Sequence, residues 1–180
     1  MLSAIHRFTF AAGLLLGVGS TGGESVDFQL TSEAFEDGGV IPVRYTCEGE
    51  DVSPPLAWSG VPEGTKSLAL VVDDPDAPRG TFDHWIVYEI PAHATALPED
   101  LDDSPRLEDL GGSLQGRNGF GKVGWGGPCP PPGRPHRSVF RLYALDGAAG
   151  LDPGAKRETL ERALERHVLA TATLTGTFGR

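Results

Sequence analysis

The sequence predicts a mainly β fold, an antiparallel β-sandwich. Short apolar or alternating segments recur along the chain, and only one stretch has clear helical periodicity. No strand–helix–strand alternation appears, which disfavours a parallel sheet covered by helices. Glycine (25 residues) and proline (15 residues) are used above average without a repeat, so turns are many and disorder is not indicated.

Residues 1–24 differ from the rest. His6-Arg7 give a basic start, Phe8 to Val18 is almost wholly apolar, and Gly19 to Gly23 is small and polar. That order matches a secretory signal peptide, with a disordered extension as the alternative, and the apolar run is too short to span a bilayer comfortably. No cysteine follows it, which disfavours a lipoprotein anchor. One domain, 26–180, is expected from a chain of 180 residues that is 39% hydrophobic.

Val26-Asp27-Phe28-Gln29-Leu30 alternates as a first strand should. Val40 to Thr46 reads as a second strand, with Pro42 suggesting an edge. Gly49 to Trp58 is a loop entering a short strand, and Pro62-Glu63-Gly64-Thr65 is a turn. Leu68 to Val72 is a buried strand that ends abruptly in Asp73-Asp74-Pro75-Asp76-Ala77-Pro78, and Asp83 to Ile90 is the next strand. His93 to Gly112 is an acidic surface excursion with at most one short helical turn. Leu114 to Pro135 is a long glycine- and proline-rich loop of the kind that is often functional. Ser138 to Asp146 is a strand.

The helix is expected to open at Asp152-Pro153, where an N-cap acid precedes a proline at the first helical position. Leu160, Ala163, Leu164, His167 and Val168 share one face, and Glu158 and Arg162 form an i,i+4 pair. The helix should fade near Thr171, leaving Thr171 to Phe178 as a last strand.

A formal net charge of −10 argues against nucleic acid and against anionic membrane surfaces as partners. An anionic ligand would need a local basic spot. Two cysteines, Cys47 and Cys129, allow one disulfide, and no Cys-x-x-Cys is present to suggest a zinc ribbon or a thioredoxin-type motif.

Three stretches could carry chemistry. Asp74, Asp76 and His84 bring carboxylates and an imidazole to the rim of a sheet; an aspartate beside a histidine fixes its tautomer and favours its protonated form. The plain alternative is a stiff turn whose carboxylates cap backbone groups. Pro130-Pro131-Pro132-Gly133-Arg134-Pro135-His136-Arg137 places a histidine and two arginines beside a proline wall, where one Pro bond in the cis form is open. The third, Thr46 to Pro55, suggests a tight rim loop.

Taken together, Asp-Pro-Asp-Ala-Pro followed by His84-Trp85, then Gly-Gly-Pro-Cys-Pro-Pro-Pro-Gly and Pro135-His136-Arg137 before a strand, resembles the phosphatidylethanolamine-binding protein family. Within it, the motifs are similar to those of the bacterial and archaeal Raf-kinase-inhibitor-like branch. The match runs from about Phe28 to Arg180 and includes Ser53-Pro54-Pro55-Leu56-x-Trp58, Asn118-Gly119-Phe120-Gly121 and Thr175 to Arg180. The resemblance implies a large central antiparallel sheet, a C-terminal helix, and a small pocket for phosphate, acetate or a phosphoethanolamine headgroup. It implies no cofactor and no metal. Carried over, the pocket comprises Asp74, His84, Pro131, Pro132 and His136, with Asp76 and Arg137 as adjacent motif members. This chain departs from the family at Ser138, Trp125 and Phe178, where the family commonly has an aromatic or a tyrosine, and so lacks phenol donors there. Because Cys47 and Cys129 both flank the implied pocket, a disulfide between them is expected, favoured further if the chain is exported.

The expected function is non-catalytic: a binding protein for a small anion or phosphorylated headgroup, regulating a protease or a kinase through the pocket rim. An exported location is expected, with the cytoplasm as the alternative, and a homodimer is left open. The competing reading is a hydrolase using Asp74, His84 and His136, or Cys129 as nucleophile with His136 as base; no Gly-x-Ser-x-Gly elbow supports it. A metal site from Asp74, Asp76, His84 and His136 is a third, without helical His-x-x-x-His spacing.

Overall fold

The structure is a computed structural model and describes residues 27–180. The leader-like segment 1–24 and Val26 lie outside the described residues. Three strands, β1 (Gln29–Thr31), β2 (Leu56–Ser59) and β5 (Ala96–Leu97), form a small antiparallel sheet in the order β1-β2-β5. Six strands form the large sheet: β3 (Ser67–Asp74), β4 (Phe82–Pro91), β6 (Arg106–Leu107), β7 (Ser113–Gln115), β8 (His136–Leu145) and β9 (Val168–Phe178). Their order is β6-β7-β4-β3-β8-β9, with every neighbouring pair antiparallel. The helix α1 (Arg157–Leu164) precedes β9.

Strand alternation builds three layers. Leu68, Leu70 and Val72 of β3 join Trp85, Val87, Phe140 and Leu142 on one face and pack against Leu30, Leu56, Trp58 and Leu97 of the small sheet. Ala69 and Val71 point the other way, with Ile86 and Tyr88, against Leu160 and Leu164 of α1. β3 is buried along its whole length. This is why its sequence is a continuous apolar run rather than an alternating one. In β4 the pairing slips between Leu68 with Ile90 and Leu70 with Val87. Glu89 sits there at φ 54. The extra residue changes the parity of the strand, so Val87 and Ile90 both reach the inner core.

Several elements differ from the sequence expectation. Val40 to Thr46 is not a strand: Val40 makes one parallel bridge to Thr177, and Val43–Tyr45 is a 3-10 turn. Pro42 ends the extended run because it has no N–H to donate, and its carbonyl instead accepts from Tyr45 N at 3.0 Å. The acidic excursion holds the 3-10 turn Glu108–Leu110 and also the short strands β5 and β6.

The helix opens at Arg157, after Lys156, and not at Asp152-Pro153. The intervening chain is drawn onto the sheet: Tyr88 Oη donates to Asp152 O at 2.5 Å, and Gly154, at φ 84, donates its N–H to Gln115 O. Arg162 bonds the Glu158 carbonyl, and the i,i+4 ion pair is Arg157 with Glu161 at 3.6 Å. Val168 leaves the expected helical face and begins β9, because pairing with β8 continues back to Leu145 opposite Val168. All described peptide bonds are trans, including those in the proline run. Cys47 and Cys129 form a disulfide with Cα atoms 5.4 Å apart.

Candidate anion pocket

β3 ends where β4 and β8 begin, so three strands deliver side chains to one end of the large sheet. A cavity of about 150 Å³ opens there. At ~30 Å³ per water it has room for roughly five waters, the scale of a phosphate or a small headgroup.

Asp73 and Asp74 part company because consecutive strand residues face opposite ways. Asp73 turns to the outer face and accepts from Arg141 at 2.7 Å, with Arg157 of α1 at 3.7 Å. Asp74 turns inward, is 7% exposed, and lines the cavity. Its Oδ2 accepts from Nδ1 of His136 at 2.7 Å, and its Oδ1 accepts from the backbone N–H of Asp76 at 2.7 Å. The second bond folds the Asp-Pro-Asp turn, so the turn and the polar floor are one construction. The histidine that Asp74 orients is therefore His136, not the nearby His84.

His84 is held differently. Its Nδ1 lies 2.6 Å from the Gly126 carbonyl. A carbonyl only accepts, so Nδ1 carries the proton and Nε2 holds a lone pair in the neutral ring. Burial pushes the His84 pKa down from its ordinary value, against the pull of the Gly126 bond and the Asp74 carboxylate. A bulge sets the ring's direction: Val72 pairs with Trp85, while Asp73 pairs with Asp83. Because of it His84 and Trp85, consecutive in sequence, both pack toward Trp125, at 6.4 and 5.6 Å between centroids.

Of the expected residues, Asp74, His84, Pro131 and His136 line the cavity. Asp76 and Arg137 do not. They form a two-pronged pair at the rim, with Arg137 Nε and Nη2 donating to Asp76 at 2.9 and 3.0 Å. The Arg137 hydrogen bonds hold the Asp76 carboxyl down at about 2, working against a smaller desolvation effect. Pro132 is exposed and lies outside the cavity lining.

Pro130 of the expected proline wall and Ala77 and Pro78 of the Asp-Pro-Asp-Ala-Pro stretch line the cavity too, whereas the aromatic wall of Phe82 and Phe120 and the facing of Cys129 into the cavity were not foreseen from the sequence. Phe82 and Phe120 meet edge to face at 4.7 Å. Phe82 stands two residues before His84, a spacing that strand alternation could have flagged. Glycines make room for these rings: a Cβ on Gly119 would sit 2.7 Å from Phe82, and one on Gly126 would sit 2.6 Å from Phe120. Trp125 packs on Trp85 and Phe140, and its Nε1 is buried without a partner among the described residues. Ser138 and Phe178 are both buried and off the cavity lining.

The disulfide removes the thiol that a Cys129–His136 nucleophile and base would need. Among the described residues no three His, Cys, Asp or Glu side chains converge on a metal-sized point.

The chain is similar to known proteins. Residues 31–179 match the family model described as phosphatidylethanolamine-binding protein. A UPF0098 protein of Methanothermobacter thermautotrophicus is 52% identical over 151 residues, covering 84% of this chain and 98% of its own. One from Aquifex aeolicus is 47% identical over 154 residues, covering 84% and 88%. Among solved structures, a homologue of phosphatidylethanolamine-binding protein from Chlamydia trachomatis superposes with a TM-score of 0.77 at 40% identity, over 85% of this chain and 97% of that one. E. coli YbcL, described as a member of the mammalian PEBP family, superposes with a TM-score of 0.78 at 38% identity, over 86% and 99%.

Proposed function

We propose, on the premise that the chain belongs to the phosphatidylethanolamine-binding protein family, that it is a binding protein whose pocket takes a small anion of the size of phosphate or phosphoethanolamine. One observation carries the reading. The Asp74–His136 pair and His84 line the same small cavity, and neither imidazole Nε2 is hydrogen-bonded to the described chain. The ligand-binding set is Asp74, His84, Pro131 and His136, with Asp76 and Arg137 stiffening the rim and Pro132 outside it.

In this reading the chemistry is proton-linked. A neutral Nε2 is an acceptor and cannot donate to an anion. Binding therefore requires a protonated imidazole or a ligand oxygen that keeps its proton. Asp74 balances the charge of a protonated His136 at 2.7 Å. Cys129 is tied up in the disulfide, which weighs against the form of the hydrolase reading that uses it as nucleophile. The cavity, at about 150 Å³, has no space for acyl chains beyond a headgroup.

Family membership supports regulatory use, with the pocket rim meeting a protease if the chain is exported or a kinase if it is cytoplasmic. The leader-like segment 1–24 and the disulfide favour export, with a folded domain over 26–180. No described helix is long and apolar enough to cross a membrane. The test is calorimetric titration with phosphate and phosphoethanolamine, repeated on His84→Ala and in buffers of different ionisation enthalpy. Micromolar to millimolar binding with proton uptake, lost in the variant, is expected. No binding of either ligand, or equal binding by the variant, overturns the assignment.

A further inference from the structure

Cys129 is both a wall of the cavity and one half of the disulfide. The segment it belongs to is unusually short of ways to hold itself in place. From Pro128 to Pro132 only Cys129 has a backbone N–H, because the other four residues are prolines. That N–H has no hydrogen-bond partner among the described residues. The hydrogen bonds that the segment does accept are long: Cys47 N–H reaches Pro128 O at 3.3 Å, and Arg180 Nη1 reaches Pro130 O at 3.4 Å and Cys129 Sγ at 3.6 Å. A normal backbone N–H···O contact centres near 2.9–3.0 Å. Cys129, Pro130 and Pro131 line the pocket, so their position sets its width.

We propose that the Cys47–Cys129 disulfide is a redox latch on the pocket: oxidised, it clamps the proline wall against the loop after Thr46; reduced, it releases the wall and weakens anion binding. This rests on the anion reading of the pocket. Both half-cystines are exposed, and so within reach of a reductant. Exposed disulfides are the ones that serve as labile or regulatory bonds. The rest of the pocket is anchored independently of the latch. Asp74 and His136 are held by β3 and β8, and His84 by β4 and Gly126. Opening the latch therefore loosens one wall and leaves the polar floor.

The reductant is a dithiol. Its thiolate attacks one protein sulfur, breaking the Cys47–Cys129 bond and forming a mixed disulfide. Its second thiol then displaces that sulfur and closes the reductant's own ring. Two electrons pass to the protein, and two protons end on the Cys47 and Cys129 thiols. By linkage, a ligand that prefers the latched pocket must oppose reduction by the same factor by which reduction weakens its binding.

The test titrates phosphoethanolamine and inorganic phosphate into the oxidised protein, into the protein held in dithiothreitol, and into Cys47→Ser/Cys129→Ser. Amide hydrogen exchange is followed at Cys47 and Gly127, whose N–H groups bond Pro128 O and Asp51 Oδ1, in the first two samples, with β3 as the internal control. The expected result is exchange about tenfold faster at these amides with β3 unchanged, and affinity reduced within the ~5–150-fold range usual for coupled sites, in dithiothreitol and in the variant alike. Equal affinity and equal exchange in the oxidised and reduced forms overturn the latch. Loss of protection in β3 overturns it too, since the bond would then be a staple for the whole fold. If the oxidised protein takes up neither probe, the anion reading fails, and the exchange measurement alone decides whether the bond clamps the wall.

Discussion

The Nδ1–H of His84 is committed to Gly126, so any proton the ring gains must go to Nε2. Burial lowers the folded pKa of His84 below the ordinary value of about 6.5. The unfolded chain therefore binds a proton first as pH falls. The stability that the buried neutral ring contributes is complete above about pH 6.5 and is lost as pH falls through the lower folded value. His84→Asn keeps an N–H that can reach Gly126 and cannot take up a proton. Thermal melts from about pH 7 to 5 should show a shallower fall of Tm in this variant than in the parent. Parallel curves would mean that His84 is not the group responsible. At this scale the sequence revealed the residue types of the pocket but paired them wrongly. Asp74 lies ten positions before His84 and sixty-two before His136, yet strand neighbourhood makes His136 its partner. Phe120 was legible only as part of a glycine motif, because its place on the wall depends on how a loop folds back, which no periodicity encodes.

Elements were legible where burial alone decides them. Leu68 to Val72 is apolar without interruption and became a central strand buried on both faces. Bulges were not legible. A strict two-residue period puts His84 and Trp85 on opposite faces, and only the slipped pairing between β3 and β4 brings them to the same side. The helix start was misread because Asp152-Pro153 is a sound local signal that lost to tertiary bonds from Tyr88 and Gln115. Its apolar face was placed correctly at Leu160 and Leu164, which are 0% and 3% exposed. Leu160 packs with Ala69, Val71, Ile86 and Tyr88 on the outer face of the sheet, while Asp74 projects from the inner one. Leu160→Ala should therefore cost about 2–5 kcal/mol in urea unfolding and leave anion affinity unchanged. A matching loss of affinity would mean that the two faces of β3 are coupled.

The molecule as a whole is two sheets and a helix laid in layers, with the disulfide joining the loop before β2 to the loop before β8. That bond closes a span of 82 residues across much of the fold. In the chain-entropy account such a closure contributes about 4–5 kcal/mol by restricting the unfolded chain. A domain of this kind typically has ~5–15 kcal/mol in total. The core on both faces of the large sheet does not include either cysteine. The protein is accordingly expected to stay folded without the bond, nearer its threshold, which is the condition that a latch confined to the pocket wall requires. Urea unfolding of the oxidised protein and of Cys47→Ser/Cys129→Ser measures this directly. A loss near 4 kcal/mol, with a cooperative transition retained in the double variant, is the expected outcome. A loss under ~1 kcal/mol would show that the unfolded chain already holds these loops together, and a variant without a cooperative transition would make the bond a condition of folding.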